Sequence, residues 1–199
     1  SKDRVLQTIS FEEIKKIKTI RDLPSTLENA RKWILIGLYV GQRVSDLLAL
    51  KPFQLRFIEN GVYIDINQQK TDKYVTVGVV DKEVIQILKK NFPYPISAQL
   101  FNRQIKHVCQ IAGINDMVSG YKLCPKTRRK RLGTHPKYSL ISSHDLRRSF
   151  ATNYFGKIET PILMQITGHS KESTFLSYIG SQVNKDTYAD AFMKIAATL

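Results

Sequence analysis

The fold and function of this chain depend on the segment Ile166–Gly180, which is ITGHSKESTFLSYIG. It places Gly168 and His169 at the predicted end of one helix, and Tyr178 follows nine residues after the histidine on the next predicted helix. Nine tyrosines occur among the 199 residues, so a tyrosine alone indicates packing as readily as chemistry. Tyr178 is a candidate nucleophile only if other segments supply groups that activate a phenol, whose pKa is ordinarily about 10.

A second segment, SSHDLRRSFATNYF at 142–155, places His144 and Arg147 three residues apart on a predicted helix. Residues at this spacing share one helix face, so the pair can point donors at a single phosphate. Arg148 lies about 100° further round the helix and is predicted to point elsewhere. An isolated pair of this kind is more often a solvated surface feature, and further residues are needed to decide.

Two more segments supply basic groups. In LYVGQRVSDLLAL at 38–50, Arg43 follows a glycine at a helix end, and Asp46 is predicted to orient its guanidinium group. Lys70 lies in a polar loop between two predicted strands. Taken singly, an arginine at a helix terminus and a lysine at a strand turn are both common surface features.

The order of predicted elements indicates one α+β domain over 1–199, mainly helical and with a small three-stranded antiparallel sheet. Asn60-Gly61 is predicted to form a tight hairpin turn. An exposed hairpin or loop is predicted over 118–142. Helices are predicted over 10–19, 25–41, 44–50, 81–90, 97–112, 144–155, 160–167, 171–179 and 184–197, and strands over 54–58, 62–67 and 74–79.

The charge of the chain favours a polyanionic partner. Thirty-one basic residues against seventeen acidic ones give a formal charge of +14, which is typical of proteins that bind DNA or RNA. A dense basic run is predicted to lie along a DNA backbone, although a solvated basic loop has the same composition. The run consists of Lys122, Lys126, Arg128, Arg129, Lys130 and Arg131.

Composition excludes several other classes of protein. No apolar run reaches the roughly 18 residues that span a bilayer, so no membrane partner is predicted. Cys109 and Cys124 are too few for a disulfide framework, which indicates a reduced, intracellular protein. No metal-ligand spacing occurs, and neither a metal nor another cofactor is predicted. One alternative is a metal-dependent nuclease hairpin built on Asp65 and Lys70, but it lacks a clear second acid.

The segments GQRVSDLLAL, SHDLRRSFAT and ITGHSKESTFLSYI together resemble the three signature regions of the tyrosine recombinase (phage integrase) catalytic domain. The resemblance covers essentially the whole chain. Within the family, the three segments look most similar to those of integrases from Bacteroides-type mobile elements. Three positions depart from the family pattern. Val40-Gly41-Gln42 precedes the first arginine where the family often has Thr-Gly and one further residue, Asp46 stands where glutamate is frequent, and Thr167 stands where leucine is common. The resemblance implies a catalytic set of Arg43, Lys70, His144, Arg147, His169 and Tyr178.

The resemblance also implies a reaction. Tyr178 attacks a DNA phosphodiester and forms a 3′-phosphotyrosine, which a 5′-hydroxyl then reseals without metal or ATP. Arg43 and Arg147 hold the phosphate oxygens, since guanidinium groups carry fixed, permanently charged donors. Lys70 acts as the general acid toward the leaving 5′-oxygen. The two histidines donate to the phosphate or move the tyrosine proton.

The implied partners are double-stranded DNA and other protomers, with a tetramer as the expected assembly on DNA. The tail at 180–199 is expected to form a helix that packs on a neighbouring protomer, or else on its own core. A further DNA-clamping domain that the family carries is expected to be absent, as in an excised catalytic domain. Bacterial cytoplasm, at the nucleoid, is the implied location. The alternatives are type IB topoisomerase-like relaxation and a non-catalytic DNA-binding module.

Overall fold

The computed structural model describes residues 5–124, 127–180 and 185–197. Helices predominate, and a three-stranded and a two-stranded antiparallel sheet accompany them, which confirms the predicted α+β class. The helices are α1 Phe11–Thr19, α2 Ser25–Val40, α3 Val44–Leu48, α4 Lys82–Lys90, α5 Ala98–Ile111, α6 Ser143–Tyr154, α7 Thr160–Thr167, α8 Glu172–Ile179 and α9 Lys185–Ala196. The strands are β1 Leu55–Ile58, β2 Gly61–Gln68, β3 Lys73–Val79, β4 Met117–Leu123 and β5 Lys130–Pro136.

Local capping residues set several of the helix boundaries. The Ser10 hydroxyl accepts from the backbone N–H of Glu13, whose side chain accepts from the N–H of Ser10, so α1 starts with a complete capping box. Asp81 and Ser97 cap α4 and α5 through their side chains. Gly41 ends α2 in the left-handed region at φ 65°, which an L side chain rarely adopts. These boundaries match the predicted ones closely.

Helix α2 lies at the centre of the larger hydrophobic core. Trp33, Ile34 and Leu38 are almost completely buried, and α2 packs against α5 and α6. Ile64 of β2 and Phe101 of α5 belong to the same cluster, so the three-stranded sheet covers one side of this helical core. Fully burying each such side chain contributes about 1.5–3 kcal/mol.

A smaller apolar cluster joins α6, α7 and α8. Its buried members are Phe150 and Ala151 from α6, Leu163 from α7, and Phe175 and Ile179 from α8. Because α6 also contributes Leu146 to the larger core, this helix connects the two clusters. The smaller cluster therefore fixes the end of α7 and the whole of α8 relative to α6.

The three-stranded sheet has the order β1-β2-β3, and its first turn differs from the predicted one. Ile58 pairs with Gly61, so Glu59 and Asn60 form the turn, and the predicted Asn60-Gly61 turn was wrong by one residue. Gly61 instead begins β2, where an added Cβ would lie 2.7 Å from the carbonyl oxygen of Val79. The glycine is needed for close approach between strands, not for a turn conformation.

The second sheet is a hairpin of β4 and β5, which confirms the exposed hairpin predicted in this part of the chain. Tyr121 pairs with Leu132 and both are exposed, while the next pair is Lys122 with Arg131. Successive residues of a strand face opposite sides, so Lys122 and Arg131 lie on the side opposite Tyr121 and Leu132.

Two further predictions concern the membrane and the tail. None of the helices in the described residues has the length and apolarity needed to cross a bilayer. The tail does form a helix, α9, on which Phe192 and Met193 are exposed. The side chains of Tyr188, Ala191 and Ile195 in the same helix lie outside the described residues.

Candidate active site

The six residues predicted to be catalytic line one cleft of about 420 Å³. They reach it from five separate elements, which span most of the chain. Arg43 precedes α3, Lys70 lies in the β2–β3 loop, His144 and Arg147 lie on α6, His169 follows α7, and Tyr178 lies on α8.

Arg147 is the most buried of the six and ties three elements together. Its guanidinium group donates to the carbonyl oxygen of Gly41 at 3.2 Å and to that of Thr167. Those two carbonyls lie at the ends of α2 and α7, so the side chain is fixed before any ligand binds. Burial lowers the pKa of Arg147 to about 10, which still leaves it charged at neutral pH. The site therefore contains a rigid, permanent positive charge.

Arg43 and Asp46 do not form the contact predicted for them. The Asp46 carboxylate accepts instead from the backbone N–H of Gln69 at 3.1 Å, because α3 points this side chain toward the β2–β3 loop. Asp46 thus holds the loop that carries Lys70. Arg43 Nη1 is buried at the cleft without a hydrogen-bond partner among the described residues. An unpartnered charged donor in a cleft favours an anionic ligand.

A buried amide network, which the sequence did not reveal, joins the loops around the cleft. Gln68 Nε2 donates to Gln42 Oε1 at 2.8 Å and to the carbonyl oxygen of Ile166 at 3.1 Å. Gln42 Nε2 donates to the same Ile166 carbonyl at 2.8 Å. Gln42 precedes Arg43, Gln68 precedes the Lys70 loop, and Ile166 precedes His169 by three residues. The network therefore sets the relative positions of three catalytic candidates.

The β2–β3 loop presents two lysines near the site. Lys70 lines the cleft and is exposed. Lys73, at the start of β3, donates to the hydroxyl of Ser170 at 3.0 Å, next to His169. The sequence did not single out Lys73, whose position depends on the packing of the hairpin against the end of α7.

The protonation of His169 follows from its hydrogen bond with Thr167. The Thr167 hydroxyl donates to the carbonyl oxygen of Leu163 at 2.6 Å and lies 2.8 Å from Nδ1 of His169. Since a hydroxyl has one proton, Nδ1 carries the proton shared with Thr167, and Nε2 is left as an acceptor. Burial, with the charges of Arg147 and Arg43, lowers the pKa of His169 to about 4. His169 is therefore neutral at pH 7.

Tyr178 lies inside the cleft between the two histidines. Its ring centroid is 5.2 Å from that of His144 and 5.0 Å from that of His169. The phenol donates to the carbonyl oxygen of His144 at 3.3 Å. Burial raises the pKa of Tyr178, although the charges of Arg147 and Arg148 oppose that rise. The phenol is protonated at neutral pH and needs a proton acceptor before it can attack.

Arg148 does not line the cleft, which agrees with the prediction that it points away from His144 and Arg147, but it does contact Tyr178. Its Nε donates to the Tyr178 carbonyl oxygen at 3.0 Å, and its guanidinium carbon lies 5.1 Å from the Tyr178 ring centroid. Asp145 accepts from the other side of the same guanidinium at 2.5 Å. The sector of α6 that holds Arg148 faces α8 and not solvent, because α8 packs along α6.

The predicted DNA-binding run lies on the β4–β5 hairpin and its tip. Arg128 and Arg129 are exposed in the connection, and Arg128 has a left-handed backbone at φ 50°. Lys126 lies outside the described residues. The remaining members are Lys122 on β4, and Lys130 and Arg131 on β5. Contact between this run and DNA stays a prediction.

The chain belongs to the phage integrase family, whose model matches residues 7–185. The match confirms the resemblance drawn from the three sequence segments. The narrower resemblance to Bacteroides-type elements stays a prediction. No curated protein sequence matches the chain.

Several solved structures share the fold. One is XerH site-specific recombinase bound to a difH substrate in a pre-cleavage complex, with 19% identity, a TM-score of 0.65, and coverage of 96% of this chain and 55% of that chain. Another is a lambda integrase dimer bound to a COC′ core site, with 17% identity, a TM-score of 0.63, and coverage of 93% and 63%. The Tn1549 transposon integrase with transposon right end DNA matches at 17% identity and a TM-score of 0.60, with coverage of 93% and 63%. The chain thus spans less than two thirds of the length of these proteins.

Proposed function

We propose that this chain is the catalytic domain of a site-specific DNA recombinase that breaks and rejoins strands through Tyr178. One observation carries the proposal: a phenol, two guanidinium groups, two imidazoles and a lysine from five elements converge on a single cleft. Membership of the phage integrase family supports the same activity. The solved relatives named above are recombinases and integrases bound to DNA.

The two arginines are suited to holding a phosphodiester. Arg147 is fixed by the carbonyls of Gly41 and Thr167, and Arg43 Nη1, which has no hydrogen-bond partner in the described part of the chain, can donate to an anion. Preorganised charges of this kind stabilise the negative charge that develops on the non-bridging oxygens in the transition state. Their combined charge also offsets the repulsion between the phosphodiester and an approaching phenolate.

The chemical step needs one proton acceptor and one proton donor. The Tyr178 oxygen bonds to phosphorus as the bond between phosphorus and the 5′-oxygen breaks. The phenol proton passes to a neutral imidazole, and His169 offers Nε2 for it. Lys70 supplies the proton that the leaving 5′-oxygen gains. Attack of a 5′-hydroxyl on the phosphotyrosine reverses both transfers and restores the enzyme without ATP.

Binding and assembly extend the proposal beyond the cleft. The basic residues of the β4–β5 hairpin would follow the DNA backbone and add salt-dependent affinity. The exposed Phe192 and Met193 of α9 make this helix a candidate for packing on a neighbouring protomer. A tetramer is the proposed assembly, and a lambda integrase tetramer bound to a Holliday junction has a related fold. Because the substrate is DNA, the proposed location is the bacterial cytoplasm, at the nucleoid.

The alternatives differ in what they leave unexplained. A metal-dependent nuclease site would need Asp65, but that carboxylate is held by Arg56 at 2.6 Å and by Thr76 at 2.7 Å. A DNA-binding module without activity would leave the buried Arg147 and the docked Tyr178 without a role. Relaxation of the type IB topoisomerase kind uses the same chemistry, and it differs in proceeding on a monomer.

A nicked suicide substrate tests the proposal directly. The full-length protein is incubated in EDTA with a duplex that carries an attachment site of the element encoding it, and covalent protein–DNA adducts are resolved on a denaturing gel. An adduct that forms without metal and disappears in Tyr178→Phe is the expected result. Adduct formation by Tyr178→Phe, or cleavage only with Mg²⁺, would overturn the proposal.

A further inference from the structure

We infer that Arg148, held by Asp145, is a positioning residue that fixes Tyr178 in the cleft and thereby sets the rate of strand cleavage. The inference rests on the proposed function of Tyr178. It concerns a residue outside the predicted catalytic set, which acts on the nucleophile from its backbone side and does not touch the phosphate.

Arg148 makes two directional contacts and one stacking contact at once. Nε donates to the Tyr178 carbonyl oxygen at 3.0 Å, and Nη1 donates to Asp145 Oδ1 at 2.5 Å. The guanidinium group also lies against the Tyr178 ring, 5.1 Å from its centroid. A planar guanidinium holds these donors at fixed angles, whereas the ammonium group of lysine presents a single point charge. The side chain is 10% exposed, so water competes weakly for these donors.

Asp145 anchors the arginine to a rigid part of the fold. Its second oxygen, Oδ2, accepts from the backbone N–H of Ser142 at 2.9 Å and from the Ser142 hydroxyl at 2.7 Å. These bonds belong to the capping box at the start of α6, which also carries His144. Arg148 and Asp145 thereby fix Tyr178 relative to the same turn of α6 that presents His144 to the cleft.

The carbonyl that Arg148 binds is available because of where Tyr178 lies in its helix. Tyr178 is the penultimate residue of α8, and the last carbonyls of a helix have no partner within it. The N–H of Gly180 turns back to Leu176 and Ser177, not to Tyr178. Arg148 supplies the missing donor, and its positive charge at the end of α8 is favourable to the helix dipole.

Helix capping alone and positioning of the nucleophile predict different results. A cap changes the free energy of unfolding and leaves the chemical step of the folded protein as it was. A positioning residue changes the cleavage rate at saturating DNA while the affinity for DNA stays the same. Arg148→Lys distinguishes capping from positioning. It keeps the positive charge near the Tyr178 phenol but cannot make the hydrogen bonds to the Tyr178 carbonyl and to Asp145 at the same time.

The test compares the native protein with Arg148→Lys, and with Arg103→Lys as a matched control at an exposed arginine of α5. Single-turnover cleavage of the suicide duplex at saturating protein, DNA affinity and thermal unfolding are measured for each. We expect cleavage by Arg148→Lys to fall about tenfold to a hundredfold, with unchanged affinity, and cleavage by the control to stay at the native rate. Native cleavage rates in Arg148→Lys would overturn the inference. Loss of cleavage in the native protein as well would instead refute the proposed function.

A second readout does not depend on cleavage. In DNA-free protein with ¹³C-labelled tyrosine rings, the Tyr178 signal is assigned by its loss in Tyr178→Phe. Arg148→Lys is expected to move this signal toward the position of a solvent-exposed tyrosine. If Arg148→Lys does not fold, Asp145→Asn replaces it, because that change keeps the arginine and weakens its anchor. A Tyr178 signal that stays in place in the folded variant contradicts the inference.

Discussion

The hydroxyl of Thr167 lies 2.8 Å from Nδ1 of His169 and donates its own proton to the carbonyl oxygen of Leu163. This relationship assigns one tautomer to the histidine and leaves Nε2 free to accept a proton. The constraint depends on the hydroxyl of Thr167, which a leucine at this position would not supply.

Thr167→Val should loosen the tautomer of His169, since it removes the hydroxyl and keeps the side-chain volume. The Nε2-protonated form of the neutral imidazole should become populated, and ¹⁵N chemical shifts of the ring nitrogens measure this directly. Thr167→Ser retains the hydroxyl and should resemble the native protein. An unchanged ¹⁵N pattern in Thr167→Val contradicts the assignment.

The pKa of His169 predicts a pH dependence of stability. The pKa is about 4 in the folded protein against an ordinary value of 6.5, so between these values the unfolded chain binds more protons than the folded one. Stability should therefore fall as the pH drops from 6.5 toward 4. Urea unfolding of the DNA-free protein and of His169→Gln measures the difference, which has an upper limit of about 1.4 kcal/mol per pH unit. Identical slopes for the two proteins would count against the lowered pKa.

The amide network predicts a defect that combines stability and chemistry. Gln68→Leu removes the donor to Gln42 and Ile166 and leaves the side-chain Oε1 of Gln42 buried and unpaired. The free energy of unfolding should fall by about 1–3 kcal/mol. Cleavage should also slow under conditions where the variant is fully folded, because the hydrogen bonds that hold the Lys70 loop against the segment before His169 are lost. The exposed Gln86→Leu on α4 is the matched control and should change neither quantity.

A substrate with sulfur in place of the bridging 5′-oxygen tests the assignment of Lys70 against Lys73. A thiolate leaves without needing a proton, so this substrate bypasses the general acid. Lys70→Ala should cleave the normal duplex slowly, by about a hundredfold or more, and should cleave the sulfur substrate at close to the native rate. If the sulfur substrate restores cleavage by Lys73→Ala and not by Lys70→Ala, the general acid is Lys73, the lysine that contacts Ser170.

The basic hairpin predicts a change in salt dependence. Each phosphate contact contributes about 0.9 to the slope of log affinity against log salt concentration, so Arg129→Ala should reduce that slope by about one and weaken binding to all sequences alike. Fluorescence anisotropy with a labelled duplex at several salt concentrations measures both quantities. Lys90→Ala, at an exposed position of α4, is the control. A slope equal to the native one in Arg129→Ala removes this residue from the interface.

The parts of the fold that sequence predicted are those governed by local physics. Ser10, Asp81 and Ser97 mark helix starts because a side-chain cap bonds to backbone only three residues away. The hairpin of β1 and β2 was also predicted, but its turn was placed one residue late. Gly61 was predicted to be a turn residue. It lies instead in β2, where a side chain would collide with the carbonyl oxygen of Val79 on β3.

In the candidate site, the residues were predicted from the sequence, but most contacts between them were not. The six catalytic candidates were grouped through resemblance to a family, and the structure brings all six to one cleft. The contact between Arg148 and Tyr178 could not be predicted, since it depends on how α6 packs on α8. Gln42 and Gln68 lie 26 residues apart, and no periodicity marks them as partners. Asp46 lies on a five-residue helix, whose orientation toward the β2–β3 loop is likewise set by packing.

The separate apolar cluster of α6, α7 and α8 has a consequence for local opening. Its five buried residues are far fewer than those of the core around α2, yet they hold the helix that carries the proposed nucleophile. Regions with little buried apolar surface open at a lower free energy than the whole molecule. Backbone amides of α7 and α8 should therefore exchange with deuterium earlier than those of α2. Withdrawal of Tyr178 from the cleft would then be a subglobal unfolding event that leaves the larger core around α2 in place.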